Sequence, residues 1–247
     1  MRAFSQIPNM LTLGNLLSGV TGILMVTQGN IMAAWWCSLI AAVCDFFDGF
    51  LARKLNVQGP MGRELDSLAD GVTFGVLPGI LVFALAAADL YPAETLNQSL
   101  HIAVNCLNPA WLALFIPAFS VYRLAVFNID TRQTDHFIGV PTPACGLFFC
   151  SLPFALAAEN NMNGLLSRLV ANPAILLSTA IFFSLMLVAP LPLIALKFKN
   201  FALAGNQWRY GLILTGIVLP AIFGPVGIPM VILAYILLSI SAKIISK

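Results

Sequence analysis

Eight runs of mostly apolar residues recur along this chain, at 9–27, 31–51, 65–88, 109–127, 142–159, 173–196, 208–223 and 226–245. A bilayer span needs about 20 such residues. A helix in hydrocarbon satisfies its backbone N–H and C=O groups within its own segment. The runs therefore predict an all-α integral membrane fold, a polytopic bundle of about eight transmembrane helices. Charged residues are only 9% of the chain, against about 25% in a soluble domain. The last two runs are separated only by Gly224-Pro225, which fits either a tight hairpin or one broken helix. Polar loops are expected at 89–108, 128–141 and 197–207.

Arg2 precedes the first run, as in a signal peptide. Asn9, Asn15 and Ser18 interrupt that run and no A-x-A site follows it, so it reads as a retained helix. No internal repeat is visible. A net charge of +2 gives no basic patch for nucleic acid. The five cysteines (Cys37, Cys44, Cys106, Cys145 and Cys150) include no C-x-x-C and read as reduced, buried thiols. His101 and His136 are isolated and suggest no metal site.

Lysine and arginine set the orientation. With the N-terminus inside, the inner face collects Arg2, Arg53, Lys54, Arg63, Arg123, Arg132, Lys197, Lys199, Arg209, Lys243 and Lys247. Of the twelve cations, only Arg168 falls outside. The loop joining the second and third runs is then cytoplasmic.

That loop is flanked by half of the chain's acids: five of ten lie between positions 45 and 70. Ionisable residues beside membrane helices are functional candidates. At 100° per residue, Asp45, Asp48, Gly49, Ala52 and Arg53 occupy an arc of about 140°, and Gly62, Asp66 and Asp70 one of about 80°. Two helices joined by a short loop are antiparallel neighbours, so each contributes two aspartates to one cleft. Converging carboxylates repel unless cations neutralise them. Hard divalent cations take such oxygens and share them with substrate phosphates, and paired metals can clamp a displacement at phosphorus. Gly49, Ala52 and Gly62 leave room for a ligand, and Arg53 offers a planar fork for phosphate. Taken singly, Asp66 reads equally well as a helix-dipole partner and the small residues as packing contacts. Their joint spacing makes the packing reading the weaker one.

The pattern D-x2-D-G-x2-A-R-x8-G-x3-D-x3-D, from Asp45 to Asp70, resembles the signature of the CDP-alcohol phosphatidyltransferases at every position. The resemblance implies a six-helix core over about 5–200, within a single membrane-embedded domain spanning 1–247. The helices at about 208–245 would be additions. It implies two divalent ions, Mg2+ or Mn2+, on Asp45, Asp48, Asp66 and Asp70. Gly49, Ala52, Arg53 and Gly62, with Asp48, Asn9 and Thr12, would hold the CDP group. Asp70 would also be the catalytic base for the acceptor hydroxyl.

Three further segments are similar to the serine-specific branch of that family: Ile7-Pro8-Asn9 through Asn15, Arg123-Leu-Ala-Val-Phe127-Asn128, and Phe137 through Ala144. A looser likeness from Leu185 to Lys199 has M-L-V-A where M-V-S is usual. The implied reaction transfers phosphatidyl from CDP-diacylglycerol to L-serine, giving phosphatidylserine and CMP. Arg123, Asn128 and Thr142 are the candidate acceptor residues. Arg123 also reads as an interfacial anchor, and Pro141-Thr-Pro143 as an ordinary helix start. Arg132, Lys197 and Lys199 keep a phosphate-bearing acceptor such as glycerol 3-phosphate open, and inositol stays open too. A divalent-cation transporter is the alternative of another class. Its acids would be expected at mid-membrane, not at one face. The partners expected are the two substrates, membrane lipids and a second copy in a homodimer, in the plasma (inner) membrane of a prokaryote.

Overall fold

A computed structural model describes residues 6–90, 108–129, 137–157, 164–193 and 207–245. Among them the protein is all-α but for one two-residue strand pair. The helices are α1 (Ile7–Thr27), α2 (Ile31–Lys54), α3 (Pro60–Asp70), α4 (Leu77–Leu90), α5 (Phe115–Ile129), α6 (Thr142–Ser151), α7 (Pro153–Ala157), α8 (Gly164–Ala171), α9 (Pro173–Val188), α10 (Gln207–Phe223) and α11 (Gly227–Ile245). Five stretches are long and apolar enough to cross a membrane: Ile7–Thr27, Ile31–Lys54, Pro60–Ala87, Pro109–Ile129 and Gln207–Ser241. Thr142–Ala155 and Pro173–Val188 are shorter apolar helices. Residues 91–107, 130–136 and 194–206, which hold most of the loops expected at 89–108, 128–141 and 197–207, lie outside the described residues, as do Arg2, Cys106, His101, His136, Arg132, Lys197, Lys199 and Lys247.

The stretch Gln207–Ser241 is a hairpin, which decides between the two readings of Gly224-Pro225. Gly224 has φ +59°, a left-handed conformation that glycine adopts without strain. The next glycine, Gly227, lies so close to α10 that a Cβ there would overlap the Leu219 carbonyl. In an unbroken helix those residues would stand about 12 Å apart.

Three runs depart from their expected bounds. The third begins five residues earlier, at Pro60, because proline is preorganised for the first helical turn. Its middle, Gly71–Val76, is a π-helix between α3 and α4. The fifth breaks at Leu152 ahead of Pro153. The sixth stops at Val188 rather than 196. Ala189 precedes Pro190, which pushes it out of helical geometry, and it sits at ψ 139°. The chain then runs extended, and Pro192–Leu193 pairs antiparallel with Phe137–Ile138. Gly139 (φ +77°) turns the chain against the end of α9, where its N–H donates to the Leu191 carbonyl at 2.9 Å. A Cβ there would collide with the Leu187 carbonyl. The Gly139–Ala144 segment thus clamps the start of α6 onto the end of α9.

The main core lies among α4, α5, α6 and α9. Phe148, Phe149 and Phe183 are its centre, with the Phe148 and Phe183 rings stacked at 4.3 Å. A smaller cluster joins α1, α2 and α4 through Val26, Trp35, Leu77 and Leu81. Glycines bring the helices close. Gly71, Gly75 and Gly79, four residues apart, face Val121, Ser120 and Pro117 of α5. Gly146 of α6 rests on the Phe74 backbone, and Gly19 of α1 on Thr73. Small residues permit such approach where lipid gives no hydrophobic drive for helices to associate.

Candidate active site

The site forms where α1, α2 and α3 meet. On α1 the buried residues are Pro8, Thr12, Asn15, Gly19, Gly22 and Val26, a single stripe at helical spacing. Its lower half is glycine and valine and sets the packing distance. Its upper half is polar and reaches the acids. Thr12 Oγ1 donates to Asp48 Oδ2 at 2.6 Å, and Asn15 Nδ2 donates to Asp70 Oδ1 at 3.0 Å. Thr73 Oγ1 in turn donates to the Asn15 carbonyl at 3.2 Å.

The chain reversal between α2 and α3 is locally encoded. Val57 N–H donates to the Ala52 carbonyl (3.0 Å) and Asn56 N–H to the Arg53 carbonyl (3.2 Å), the Schellman pattern of a helix end. Asn56 takes the left-handed position at φ 53°, which asparagine tolerates better than most residues. Arg53 and Lys54 lie in the last turn, where cations complement the helix dipole.

Both expected half-sites come together. One carboxylate oxygen from each of Asp45, Asp48 and Asp66 lies within 4.8 Å of the others. Asp45 and Asp66 are close enough to share a hydrogen bond. Asp66 Oδ1 is buried and has no hydrogen-bond partner. An all-carboxylate set with an orphaned buried oxygen fits a hard divalent cation, so these three residues could hold one. Asp70, one turn further on, is not part of that triad. It is 6% exposed and is held by Asn15.

Beside the triad lies a cleft of about 500 Å3. Its walls include Asp66 and all the residues that the sequence assigned to the CDP group: Asn9, Thr12, Asp48, Gly49, Ala52, Arg53 and Gly62. The small residues have distinct roles. The Arg53 guanidinium folds back over α2 beside Gly49, where an added Cβ would make ordinary contact with it at 3.5 Å. A Cβ on Gly62 would meet Asn9 Oδ1 at 3.5 Å. Pro8, Val57, Gln58 and Arg63 also line the cleft and were not singled out from sequence for this site. The hints were that Val57, Gln58 and Arg63 fall at unspecified positions inside the spaced motif and that Pro8 adjoins Asn9.

The three candidate acceptor residues divide. Arg123 of α5 is 8% exposed and Thr142 is fully buried. Arg123 Nη1 donates to Thr142 Oγ1 at 3.0 Å, while its Nε has no hydrogen-bond partner. Arg123 is therefore not an interfacial anchor. Asn128 is taken up elsewhere: its Nδ2 donates to Ser67 Oγ at 3.0 Å and reaches Glu64 Oε2 at 3.5 Å, tying α5 to α3.

The model of a known family, CDP-alcohol phosphatidyltransferase, matches residues 5–190. The chain belongs to the CDP-alcohol phosphatidyltransferase family. Among curated relatives, it is 38% identical over 150 residues to the CDP-diacylglycerol–serine O-phosphatidyltransferase of Bacillus subtilis (strain 168), which is 61% of this chain and 76% of that protein. It is 31% identical over 152 residues to the archaetidylserine synthase of Methanothermobacter thermautotrophicus, covering 60% of this chain and 58% of that one. It is 32% identical over 142 residues to the CDP-diacylglycerol–serine O-phosphatidyltransferase of Helicobacter pylori (strain J99), covering 57% and 54%. The chain thus spans from about half to three quarters of the length of these relatives. Membership of the CDP-alcohol phosphatidyltransferase family sets aside the cation-transporter reading. The family match ends at 190, so α10 and α11 lie beyond it.

Proposed function

We propose that this protein transfers the phosphatidyl group of CDP-diacylglycerol to the hydroxyl of L-serine, giving phosphatidylserine and CMP. The observation that carries the reading is the cleft. It joins the carboxylate triad, with its orphaned Asp66 oxygen, to Arg53 and the small residues of a phosphate-binding wall. Serine is favoured as acceptor because the relatives described above are named for serine products or substrates.

In this reading Asp45, Asp48, Asp66 and Asp70 hold divalent metal, Mg2+ or Mn2+ and two ions per site. Bound metal supplies positive charge to the diphosphate and to the departing phosphate. Arg53, folded over Gly49, adds a guanidinium fork to the same phosphates. Asn9, Thr12, Ala52 and Gly62 form the wall for the nucleotide. Arg123 and Thr142 receive the serine carboxylate. Asp70, steadied by Asn15, accepts the proton of the serine hydroxyl. The serine oxygen bonds to the phosphorus that carries diacylglycerol, the bond from that phosphorus to the CMP oxygen breaks, and CMP leaves with the electron pair. Asn128 fastens α5 to α3 and so keeps Arg123 in register with the aspartates. Arg53, Lys54 and Arg63 at the cleft end of the bundle support a cytoplasmic orientation of the site.

The test supplies purified protein and CDP-diacylglycerol with radiolabelled serine, glycerol 3-phosphate or inositol in turn. Labelled phosphatidylserine with serine alone is the expected result. A labelled lipid from another alcohol, with none from serine, would refute the acceptor.

A further inference from the structure

We infer that Ser67, on α3 between Asp66 and Asp70, is a positioning residue for the acceptor. It ties α5, the helix that carries Arg123, to the helix that carries those two aspartates. The inference rests on the reading of Arg123 as the acceptor's anchor. It extends that reading to a residue at an unspecified position of the spaced motif.

Helical phase gives α3 two working sides. At 100° per residue, Ser67 stands about 100° round from Asp66 and about 60° from Asp70, with Glu64 about 60° further on. Asp66 lines the cleft and Ser67 does not. Ser67 turns instead to α5, where its Oγ lies 3.0 Å from Asn128 Nδ2 and 3.2 Å from Asn128 Oδ1. A hydroxyl both donates and accepts, so Ser67 bonds the amide in either orientation. Glu64 Oε2 accepts a longer bond from the same Nδ2 at 3.5 Å.

This bond holds one end of α5. The other end is set by packing, with Pro117, Ser120 and Val121 against Gly79, Gly75 and Gly71. Arg123 falls between these two fixings, and its Nη1 donates to Thr142 Oγ1 at 3.0 Å. Its Nε is buried and unpartnered. A buried donor in that state is costly, and an anionic group on the acceptor would satisfy it. How far that donor stands from Asp70 depends on how α5 lies along α3, and Ser67 fixes the offset beside the aspartates themselves. The donor half of the site has fixings of its own, Thr12 to Asp48 and Asn15 to Asp70. Loosening Ser67 should therefore disturb the acceptor and spare the CDP group and the metal.

The variant to make is Ser67→Ala, which removes the hydroxyl and adds no bulk. Steady-state kinetics would be measured in detergent with serine, CDP-diacylglycerol and Mg2+ varied in turn, and thermal unfolding followed beside them. Loss of one interhelical hydrogen bond is expected to lower kcat/KM for serine about fivefold. The KM for CDP-diacylglycerol and the Mg2+ concentration for half-maximal rate should stay at their wild-type values. Asn128→Ala should show the same profile, and the double variant should be no worse than Asn128→Ala alone, because the two residues act as one pair. An unchanged kcat/KM for serine in Ser67→Ala would overturn the inference. So would single effects that multiply in the double variant. So would equal shifts in the serine, donor and Mg2+ dependences with a lower unfolding temperature, because that marks packing alone. If the wild-type protein ignores serine, the serine reading fails by itself, and the same comparison with the alcohol it does accept decides on Ser67.

Discussion

Asn15 offers the sharpest test of how the first helix serves the chemistry. Its amide N–H is 3.0 Å from Asp70 Oδ1, and neither residue is open to solvent: Asn15 is 0% and Asp70 6% exposed. The perturbation is Asn15→Leu, which keeps the branched four-atom side-chain skeleton, though with bulkier methyl ends, and removes the donor. The Thr73 bond goes to the Asn15 backbone carbonyl and survives the change. The amide's own Oδ1 is buried without a partner, so leucine also removes an unsatisfied acceptor. Global stability should therefore hold. A hydrogen bond to a charged group is worth about 1.5–3 kcal/mol. At 1.4 kcal/mol per decade, that is roughly a 10- to 150-fold loss if the bond matters only as the proton moves. The assay is CMP release at saturating serine and CDP-diacylglycerol, followed by the KM of each. The expected result is a kcat lower by that factor, with the KM for CDP-diacylglycerol within about twofold. An unchanged kcat in a protein of normal unfolding temperature would refute the positioning of Asp70 by α1. A raised donor KM with normal kcat would instead make Asn15 part of the nucleotide wall.

Other outcomes follow from the same geometry. Asp70→Asn should abolish CMP release while CDP-diacylglycerol still binds, as read by equilibrium binding of labelled lipid; normal turnover would remove Asp70 from the proton transfer. Chelation with EDTA should stop the reaction and Mg2+ or Mn2+ should restore it. Asp66→Asn should need a higher metal concentration for half-maximal rate, and an unshifted metal titration would contradict the triad. Gly146→Ala should destabilise the fold by about 1–3 kcal/mol, since overpacking costs that much and its Cβ would lie 2.8 Å from the Phe74 backbone. Gly211→Ala, with nothing within 4 Å, should leave the unfolding temperature in detergent unchanged.

What could be read in advance divides along a physical line. Helical phase is rigid, so the facing of Asp45, Asp48, Asp66 and Asp70 followed from spacing alone. The chain reversal followed from the short loop between the second and third runs, whereas Asn56 as its left-handed residue and Pro60 as the start of α3 emerged only from the structure. Partner choice between helices was not. Asn9, Thr12 and Asn15 share one side of α1, but only the helix–helix register decides that Thr12 meets Asp48 and Asn15 meets Asp70. Asn128 shows the converse: a polar residue beside Arg123 whose bonds run to Ser67 and Glu64 instead. The sixth run, 173–196, overshoots its helix because apolar content continues through Leu196, whereas Pro190 and Pro192 end the helix on steric grounds.

The π-helix at Gly71–Val76 has a consequence for how such a chain can be altered. A stretch bonded i to i+5 holds one more residue than an α-helix would, which turns everything before it by about 100° relative to everything after. Upstream of it, Asp66 lines the cleft; downstream, Gly79 packs against Pro117 of α5. The extra residue acts as a phase coupling between a chemical half and a buried half of one continuous rod. Substitutions can retune either half by itself, but deleting one residue from 71–76 would relax the rod to α-helix and turn Asp66 away from the cleft while Gly79 stayed seated on α5.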